Sequence, residues 1–438
     1  MKLFEGIKKI HFIGIGGVGV SAMAKLARDY NITVTGSDVQ TSSLTKDLED
    51  NYEAQIFIGA RAENIHVDHD LVVYSPAIPA SNIEYKEALN YDIPLMSYPE
   101  LLGKISAIKK TIAVSGTNGK TTTTAMIIEV MKHLGADPSG IVGALLQKYD
   151  SNYVSGQSDF FITEACEYKE SFLNIYYDIL VVTNITEDHL DYFSDLAHIQ
   201  DTFKKFLKNH KKDGVLVCNT DQPHLLTIIN EAKKENITII DYRKHLTKDL
   251  TLSLPGEHNL QNAAATLGVI EALGLSLVDA REYLAKYFQG VQRRMEHVGM
   301  TTSGIQIFDD YAHNPEGLTY LIKGLRDFYP DKKIIMLFEP HLYSRTRDFK
   351  NEFAQAVEKV DILYLFPTYR AREDEIPQEN YLLEQYIDTS KVELITVSET
   401  NDFIKQFKSM QFNNKYIVVS AGAGDIWKFS HALKNNSL

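Results

Sequence analysis

The sequence predicts an α/β protein of three domains built on parallel sheets. Short β-branched runs alternate with longer helical periods along the chain, one glycine loop follows the first run, and a second glycine loop ending in Lys-Thr follows a later one. The length of 438 residues agrees, since about 150 residues per domain is ordinary.

The strand runs fall into three groups. The first holds Lys9–Ile13, Ile32–Thr35 and Leu71–Tyr74; the second Thr111–Ser115, Phe160–Glu164, Ile179–Thr183 and Val215–Cys218; the third Ile305–Phe308, Lys333–Phe338, Ile362–Phe366 and Tyr416–Ser420. Two stretches read as joints between the groups. Leu101–Lys110 precedes a fresh strand and glycine loop, and Phe288–Glu296 follows a helical period and carries Arg293-Arg294. They divide the chain into domains 1–106, 107–293 and 294–438. No repeat of roughly 20–50 residues appears, which excludes a solenoid.

Composition narrows the class further. With 44% hydrophobic and 24% charged residues the chain is neither disordered nor collagen-like. Lys+Arg total 45 against 58 Asp+Glu, a net charge of −13, so nucleic acid and membrane surfaces are not expected partners. Any phosphate ligand must be held by local geometry. The apolar stretch Ile10–Val20 is broken by Gly14, Gly16, Gly17 and Gly19, too short for a membrane span and without a cleavage signal. Cys166 and Cys218 form no CxxC, so a cytoplasmic location is expected and a structural zinc site is not.

The first glycine loop runs Gly14-Ile15-Gly16-Gly17-Val18-Gly19, matching G-x-G-x-x-G between a strand and an apolar helix. Bare backbone N–H groups and a helix N-terminus suit a pyrophosphate there, and Asp38 stands about where a ribose hydroxyl is bonded. The motif alone leaves the nucleotide open, with NAD its usual ligand and a plain tight turn the alternative.

The second loop, Ser115-Gly116-Thr117-Asn118-Gly119-Lys120-Thr121-Thr122, is a P-loop in the shorter form G-x-x-G-K-T. Its backbone cradles phosphates, Lys120 reaches the β/γ-phosphates and the Thr121 hydroxyl binds Mg²⁺. Glu164 ends one following strand, and Thr183-Asn184-Ile185-Thr186-Glu187-Asp188-His189 ends the next, so Glu164 and His189 are metal and phosphate candidates beside Thr121. Asn259 and Asn262 share a helix face where amides meet a purine edge, with helix capping by Asn259 the alternative. Arg294 is expected to approach phosphate.

In the third group, Asp310-Tyr311-Ala312-His313-Asn314 and Glu339-Pro340-His341-Leu342-Tyr343-Ser344-Arg345 each follow a strand, and Gly422-Ala423-Gly424-Asp425 follows a later one. Polar groups at strand C-termini, with an arginine suited to a carboxylate, suggest a binding edge.

Taken in this order, the P-loop, the Thr-Asn-Ile…Glu-Asp-His segment, the His-Asn-x-x-Asn helix and the Asp-Tyr-Ala-His-Asn-Pro loop resemble the ATP-dependent Mur ligases over essentially the whole chain. Within that family the likeness is greatest to the alanine-adding member. The resemblance implies a Rossmann-like N-terminal domain binding a UDP-sugar, a central P-loop ATPase domain and a Rossmann-like C-terminal domain binding an amino acid. Gly14, Gly16, Gly17, Val18, Gly19, Asp38 and Ser75 would then hold UDP. Gly116, Thr117, Asn118, Gly119, Lys120, Thr121, Thr122, Asn259, Asn262, Arg294 and Asp310 would bind ATP. Thr121, Glu164 and His189 would hold Mg²⁺ or Mn²⁺. Tyr311, His313, His341 and Arg345 would form the amino-acid pocket, and Lys120, Glu164, His189 and Arg294 would be catalytic.

The implied reaction joins L-alanine to the lactyl carboxylate of UDP-N-acetylmuramate through an acyl phosphate, in peptidoglycan synthesis and hence cell-wall biogenesis, cell shape and division. The protein would be a cytoplasmic monomer or homodimer. Asn118 and Asn314 stand where the alanine-adding members have histidines, which leaves alanine, glycine and serine open as acceptors. Phe203 aligns with the lysine that several members carbamoylate, with Lys204 beside it, which leaves that modification open. A tripeptide-recycling ligase, a UDP-sugar-binding regulator and a nicotinamide oxidoreductase are the competing functions. Retention of Lys120, Thr121, Glu164 and His189 weighs against a regulator, and the P-loop domain against an oxidoreductase.

Overall fold

The computed structural model describes residues 4–189, 192–252, 254, 256–370, 373, 382–398, 403–404, 407 and 412–434. Leu190 and Asp191, which directly follow the predicted segment ending at His189, lie outside them.

The described residues form three sheets. The first holds β1 (Lys9–Ile13), β2 (Thr33–Asp38), β3 (Gln55–Ile58), β4 (Leu71–Tyr74) and β5 (Leu95–Ser97), all parallel, in the order β3-β2-β1-β4-β5. The second holds β6 (Lys110–Ser115), β7 (Ser139–Leu146), β8 (Ser151–Val154), β9 (Phe160–Glu164), β10 (Tyr177–Val182), β11 (His210–Cys218) and β12 (Thr238–Asp241), in the order β12-β11-β10-β6-β9-β7-β8. Only the β7–β8 edge hairpin is antiparallel there. The third holds β13 (Glu296–Met300), β14 (Gln306–Asp310), β15 (Lys333–Phe338), β16 (Ile362–Leu365), β17 (Glu393–Thr396) and β18 (Tyr416–Ala421), in the order β13-β14-β18-β15-β16-β17, with β13 antiparallel.

Each strand the sequence predicts is present, and each lies inside a sheet. The strands that escaped prediction are the six sheet edges, β3, β5, β8, β12, β13 and β17, together with β7. An interior strand covered on both faces reads as an unbroken β-branched run. In β15, Ile334, Met336 and Phe338 enter one apolar cluster while Ile335 and Leu337 enter another. Edge strands lack that run: β3 has burial only at its centre, and β7 is interrupted by Gly140 and Gly143.

The described residues group into two units. One runs to residue 253 and includes Leu260–Phe288; the other takes Leu254–Asn259 and the described residues from Gln289 on. The first unit therefore contains the first two sheets. The stretch Leu101–Lys110, expected as a joint, is helix Tyr98–Ile108 running into β6, between the first sheet and the second, with a capping box between Ser97 and Glu100 and Pro99 in its first turn. Its Leu101, Leu102 and Ile105 are buried in one apolar cluster with Phe12 of β1 and Phe161 of β9, so this joint is packed into the core.

Polar bonds reinforce this packing. Lys25, on helix Val18–Asp29, is fully buried and donates to Ser151 Oγ (3.0 Å) and Asn152 Oδ1 (2.9 Å) of β8. Asn152 Nδ2 donates in return to Val18 O (2.6 Å) and Ser21 Oγ (2.8 Å). Phe203, the residue aligned with the modified lysine, is buried against Phe172 at 5.1 Å between ring centres, and Lys204 pairs with Asp201.

Candidate active site

The first glycine loop leaves β1 at the point where β2 and β4 diverge to either side, the usual ligand crevice of an open parallel sheet. Gly14 and Ile15 donate their N–H groups to Ser37 O at 2.8 and 3.0 Å, and Gly16 N–H donates to Asp38 Oδ2 at 2.8 Å. The other Asp38 oxygen takes the Val39 N–H at 2.7 Å, so this carboxylate braces the loop. Helix Val18–Asp29 begins at once, leaving first-turn N–H groups at Val18 and Gly19 without intrahelical acceptors. Ser75, whose N–H donates to Ile13 O at 3.0 Å, lies beside Gly14. All seven residues expected to hold UDP meet at these strand ends.

The P-loop leaves β6, which lies between β10 and β9. Gly116 (φ 127°) and Gly119 (φ 88°) occupy backbone conformations that other residues reach only under strain. A Cβ at either would also collide, at Gly116 with the Thr183 hydroxyl and at Gly119 with the Asn262 side-chain oxygen. Asn184 shapes the loop: its O accepts from Thr117 N–H (3.0 Å), its Oδ1 from Asn118 N–H (2.9 Å), and its Nδ2 donates to Asn118 O (2.9 Å).

Lys120 opens helix Lys120–His133 and turns its ammonium back over the loop. It donates to Gly116 O, to Thr117 O at 3.1 Å, and to both carboxylate oxygens of Glu167 at 3.0 and 3.1 Å. Burial is the largest single influence and disfavours the charged lysine, but Glu167, Cys166 and Asp188 together outweigh it, and the Lys120 pKa stands above the ordinary lysine value. Glu167 was not among the predicted site residues; the available signal was its place three residues beyond Glu164, past the end of β9. The next turn is strained, with Lys169 and Glu170 both left-handed (φ 51° and 57°).

Thr121 Oγ1 donates to Glu164 Oε2 at 3.1 Å, and Gly143 N–H donates to Glu164 Oε1 at 2.5 Å. A hydroxyl and a carboxylate side by side are hard oxygen donors of the kind magnesium accepts alongside phosphate and water. His189, at φ 53°, packs its ring against Tyr168 with centres 4.7 Å apart. Among the described residues no three His, Cys, Asp or Glu side chains gather into a metal cage. Asn259 and Asn262 are both buried on helix Glu257–Ala272. Asn259 lies inside its first turn, so the capping alternative does not hold. Asn262 reaches the P-loop.

In the second unit, Asp310 ends β14 and takes N–H groups from Met295 (2.6 Å) and Ala312 (2.7 Å). Burial pushes its pKa up to about 6, against the pull of Arg294 and those two N–H groups. Arg293 and Arg294 both face the Tyr311 ring, at 5.1 and 5.0 Å from its centre. They have different partners, however: Arg293 binds Asp309 (3.3 Å) and Gly422 O (2.5 Å) and so ties β14 to the loop after β18.

The predicted amino-acid residues form a chain of rings. Tyr311 meets His313 at 5.1 Å, His313 meets His341 at 5.9 Å, and His341 stacks on Tyr369 at 5.7 Å. Arg345 lies on the short helix Tyr343–Asp348, whose first N–H groups, at Tyr343 and Ser344, donate to Glu373. Asp348, at the end of the same helix, pairs with Arg347 at 2.7 Å.

Three family profiles match the chain in succession: Mur ligase family, catalytic domain, over residues 9–110; Mur ligase middle domain over 114–251; and Mur ligase, glutamate ligase domain, over 293–424. The UDP-N-acetylmuramate–L-alanine ligase of Clostridium kluyveri is 38% identical over 98% of this chain and 98% of its own. That of Caldanaerobacter subterraneus subsp. tengcongensis is 34% identical over 97% of this chain and 96% of its own. Among solved structures, the UDP-N-acetylmuramate-alanine ligase of Thermotoga maritima superposes with a TM-score of 0.79 at 25% identity, covering 98% of both chains.

Proposed function

Since the chain belongs to the Mur ligase family, we propose that it joins L-alanine to the lactyl carboxylate of UDP-N-acetylmuramate, converting ATP to ADP and phosphate. The observation that carries this reading is the convergence of Lys120, Thr121 and Glu164 at the ends of β6 and β9, in a chain similar to ligases of that name over nearly its full length. The reading assigns residues 1–106 to the sugar nucleotide, 107–293 to ATP and 294–438 to the amino acid.

The chemistry runs in two steps. A lactyl carboxylate oxygen attacks the γ-phosphorus of ATP, ADP leaves, and an acyl phosphate remains. The neutral amine of alanine then attacks the acyl carbon, phosphate leaves with the electron pair of the broken C–O bond, and the nitrogen loses a proton. Gly116, Thr117 and Asn118 form the loop around the phosphates, with the Thr117 and Asn118 N–H groups held by Asn184, Gly119 and Thr122 offer backbone N–H groups at the helix start, and Lys120 meets the charge on the transferring phosphoryl group. Thr121 and Glu164, with His189 beyond the end of the neighbouring β10, would hold magnesium, which when bound neutralises phosphate charge. Asn259, Asn262 and Asp310 position the nucleoside, Arg294 binds phosphate, and Tyr311, His313, His341 and Arg345 take the amino acid. An ATP-dependent reaction and two unpaired cysteines suit the reducing cytoplasm.

Phosphate release measured with ATP, UDP-N-acetylmuramate and each of L-alanine, glycine, L-serine and a stem tripeptide tests the reading. Release is expected to depend on L-alanine. Faster turnover of the tripeptide would replace it with the recycling ligase.

A further inference from the structure

Tyr98 opens the helix that joins the first two sheets, and no step above uses it. Its ring lies against Gly19: a Cβ added there would stand 2.7 Å from the ring carbon bearing the hydroxyl and 2.9 Å from the hydroxyl oxygen. The last glycine of the loop is therefore required to admit this side chain. Tyr98 also lies within electrostatic reach of Glu164 and Cys166 at the end of β9. One phenol thus faces both the loop expected to hold the diphosphate and the carboxylate expected beside ATP.

The hydroxyl has no hydrogen-bond partner among the described residues. The side chain is only partly buried, and its hydroxyl keeps contact with solvent, so a bound ligand can accept its hydrogen bond without displacing a protein partner. Burial, then Glu164 and Cys166, raise its pKa, so it remains a neutral donor. Its surroundings are held in place, since Asn152 binds Val18 O and Ser21 Oγ one turn along from Gly19 and Lys25 bonds back to β8. The sugar nucleotide of the proposed reaction has to cover this same ground, with its diphosphate on the glycine loop and its lactyl carboxylate at the P-loop.

We infer that the Tyr98 hydroxyl donates a hydrogen bond to the bound sugar nucleotide, on the muramyl portion that links the diphosphate to the lactyl carboxylate. This rests on the ligase reading above. It makes Tyr98 a residue that distinguishes the muramyl substrate from a bare uridine nucleotide.

The test is calorimetric titration of the full chain and its Tyr98→Phe variant with UDP-N-acetylmuramate and, separately, with UDP. The variant keeps the ring against Gly19, and an unchanged melting temperature confirms that it does. Affinity for UDP-N-acetylmuramate is expected to fall roughly fivefold to tenfold, the size of one lost hydrogen bond, while affinity for UDP stays the same. Equal affinity of both proteins for UDP-N-acetylmuramate overturns the inference and leaves the ligase reading standing. An equal fall for UDP overturns the assignment to the muramyl portion. No binding of UDP-N-acetylmuramate by the unaltered chain overturns the ligase reading and this inference with it.

Discussion

Lys120 and Glu167 form a two-pronged ion pair, with the ammonium 3.0 and 3.1 Å from the two carboxylate oxygens and the glutamate side chain only 4% exposed. The P-loop lysine is thus anchored from the end of β9 as well as by its own loop. Truncating it removes a charge donor and also strands a buried carboxylate. Lys120→Ala is expected to lower turnover by about 10²–10³-fold and stability by about 3 kcal/mol. Adding Glu167→Gln should restore much of the stability and none of the turnover. Phosphate release and urea unfolding of the single and double variants measure both; a folded Lys120→Ala enzyme at full rate would remove the P-loop from the mechanism.

Lys25 bonds Asn152 and Ser151 and pairs with Asp47 at 2.5 Å, with no exposure of its own. Lys25→Met leaves those three acceptors without their cation. A loss of about 3 kcal/mol is expected, partly shared with Asn152→Ala because the two act in one network. Urea midpoints of the two variants and their combination decide it, and strictly additive losses would show that no network exists.

Acid should weaken the first sheet through two histidines. His11 accepts or donates at 2.8 Å with Thr35 Oγ1, which lies 3.0 Å from His69 Nε2, and His11 Nε2 is 4.0 Å from Glu84. Burial first, then His69, His66 and Lys9, hold the His11 pKa at about 3; burial holds that of His69 at about 4. Both are depressed below the ordinary 6.5. Above pH ~6.5 neither form of the chain binds these protons; below it the unfolded chain binds them and the folded chain does not, so stability falls as pH falls toward 4. The slope approaches about 1.4 kcal/mol per pH unit for His11 alone. Glu129, buried with a pKa raised to about 7, works the opposite way. The comparison is therefore between the unaltered chain and His11→Gln at pH 7.5, 6 and 5, with a shallower decline expected for the variant.

Arg345→Lys tests the acceptor pocket. A guanidinium grips a carboxylate with two parallel hydrogen bonds, and an ammonium replaces it poorly. The KM for L-alanine is expected to rise about tenfold with the KM for ATP nearly unchanged. A parallel change in both, or a lowered melting temperature alone, would assign Arg345 to bracing its helix.

The sequence by itself determined the interior strands other than β7, both glycine loops and the polar residues that follow β9, β14 and β15. Those signals are local: a strand covered on both faces needs an unbroken apolar run, and a phosphate loop needs its glycines within a few residues of the lysine. The tertiary structure alone decided the sheet edges, where half-solvated strands need no such run, and the helix at Leu101–Lys110, whose boundary position hid its burial. It also decided the partnerships of Lys120 with Glu167, Lys25 with Asn152 and Tyr98 with Gly19. The first two pairs are 47 and 127 residues apart, and the last joins the start of one helix to the loop opening another. No local pattern specifies such pairs, because charge, amide and ring find their complements only after the strands between them have been laid side by side.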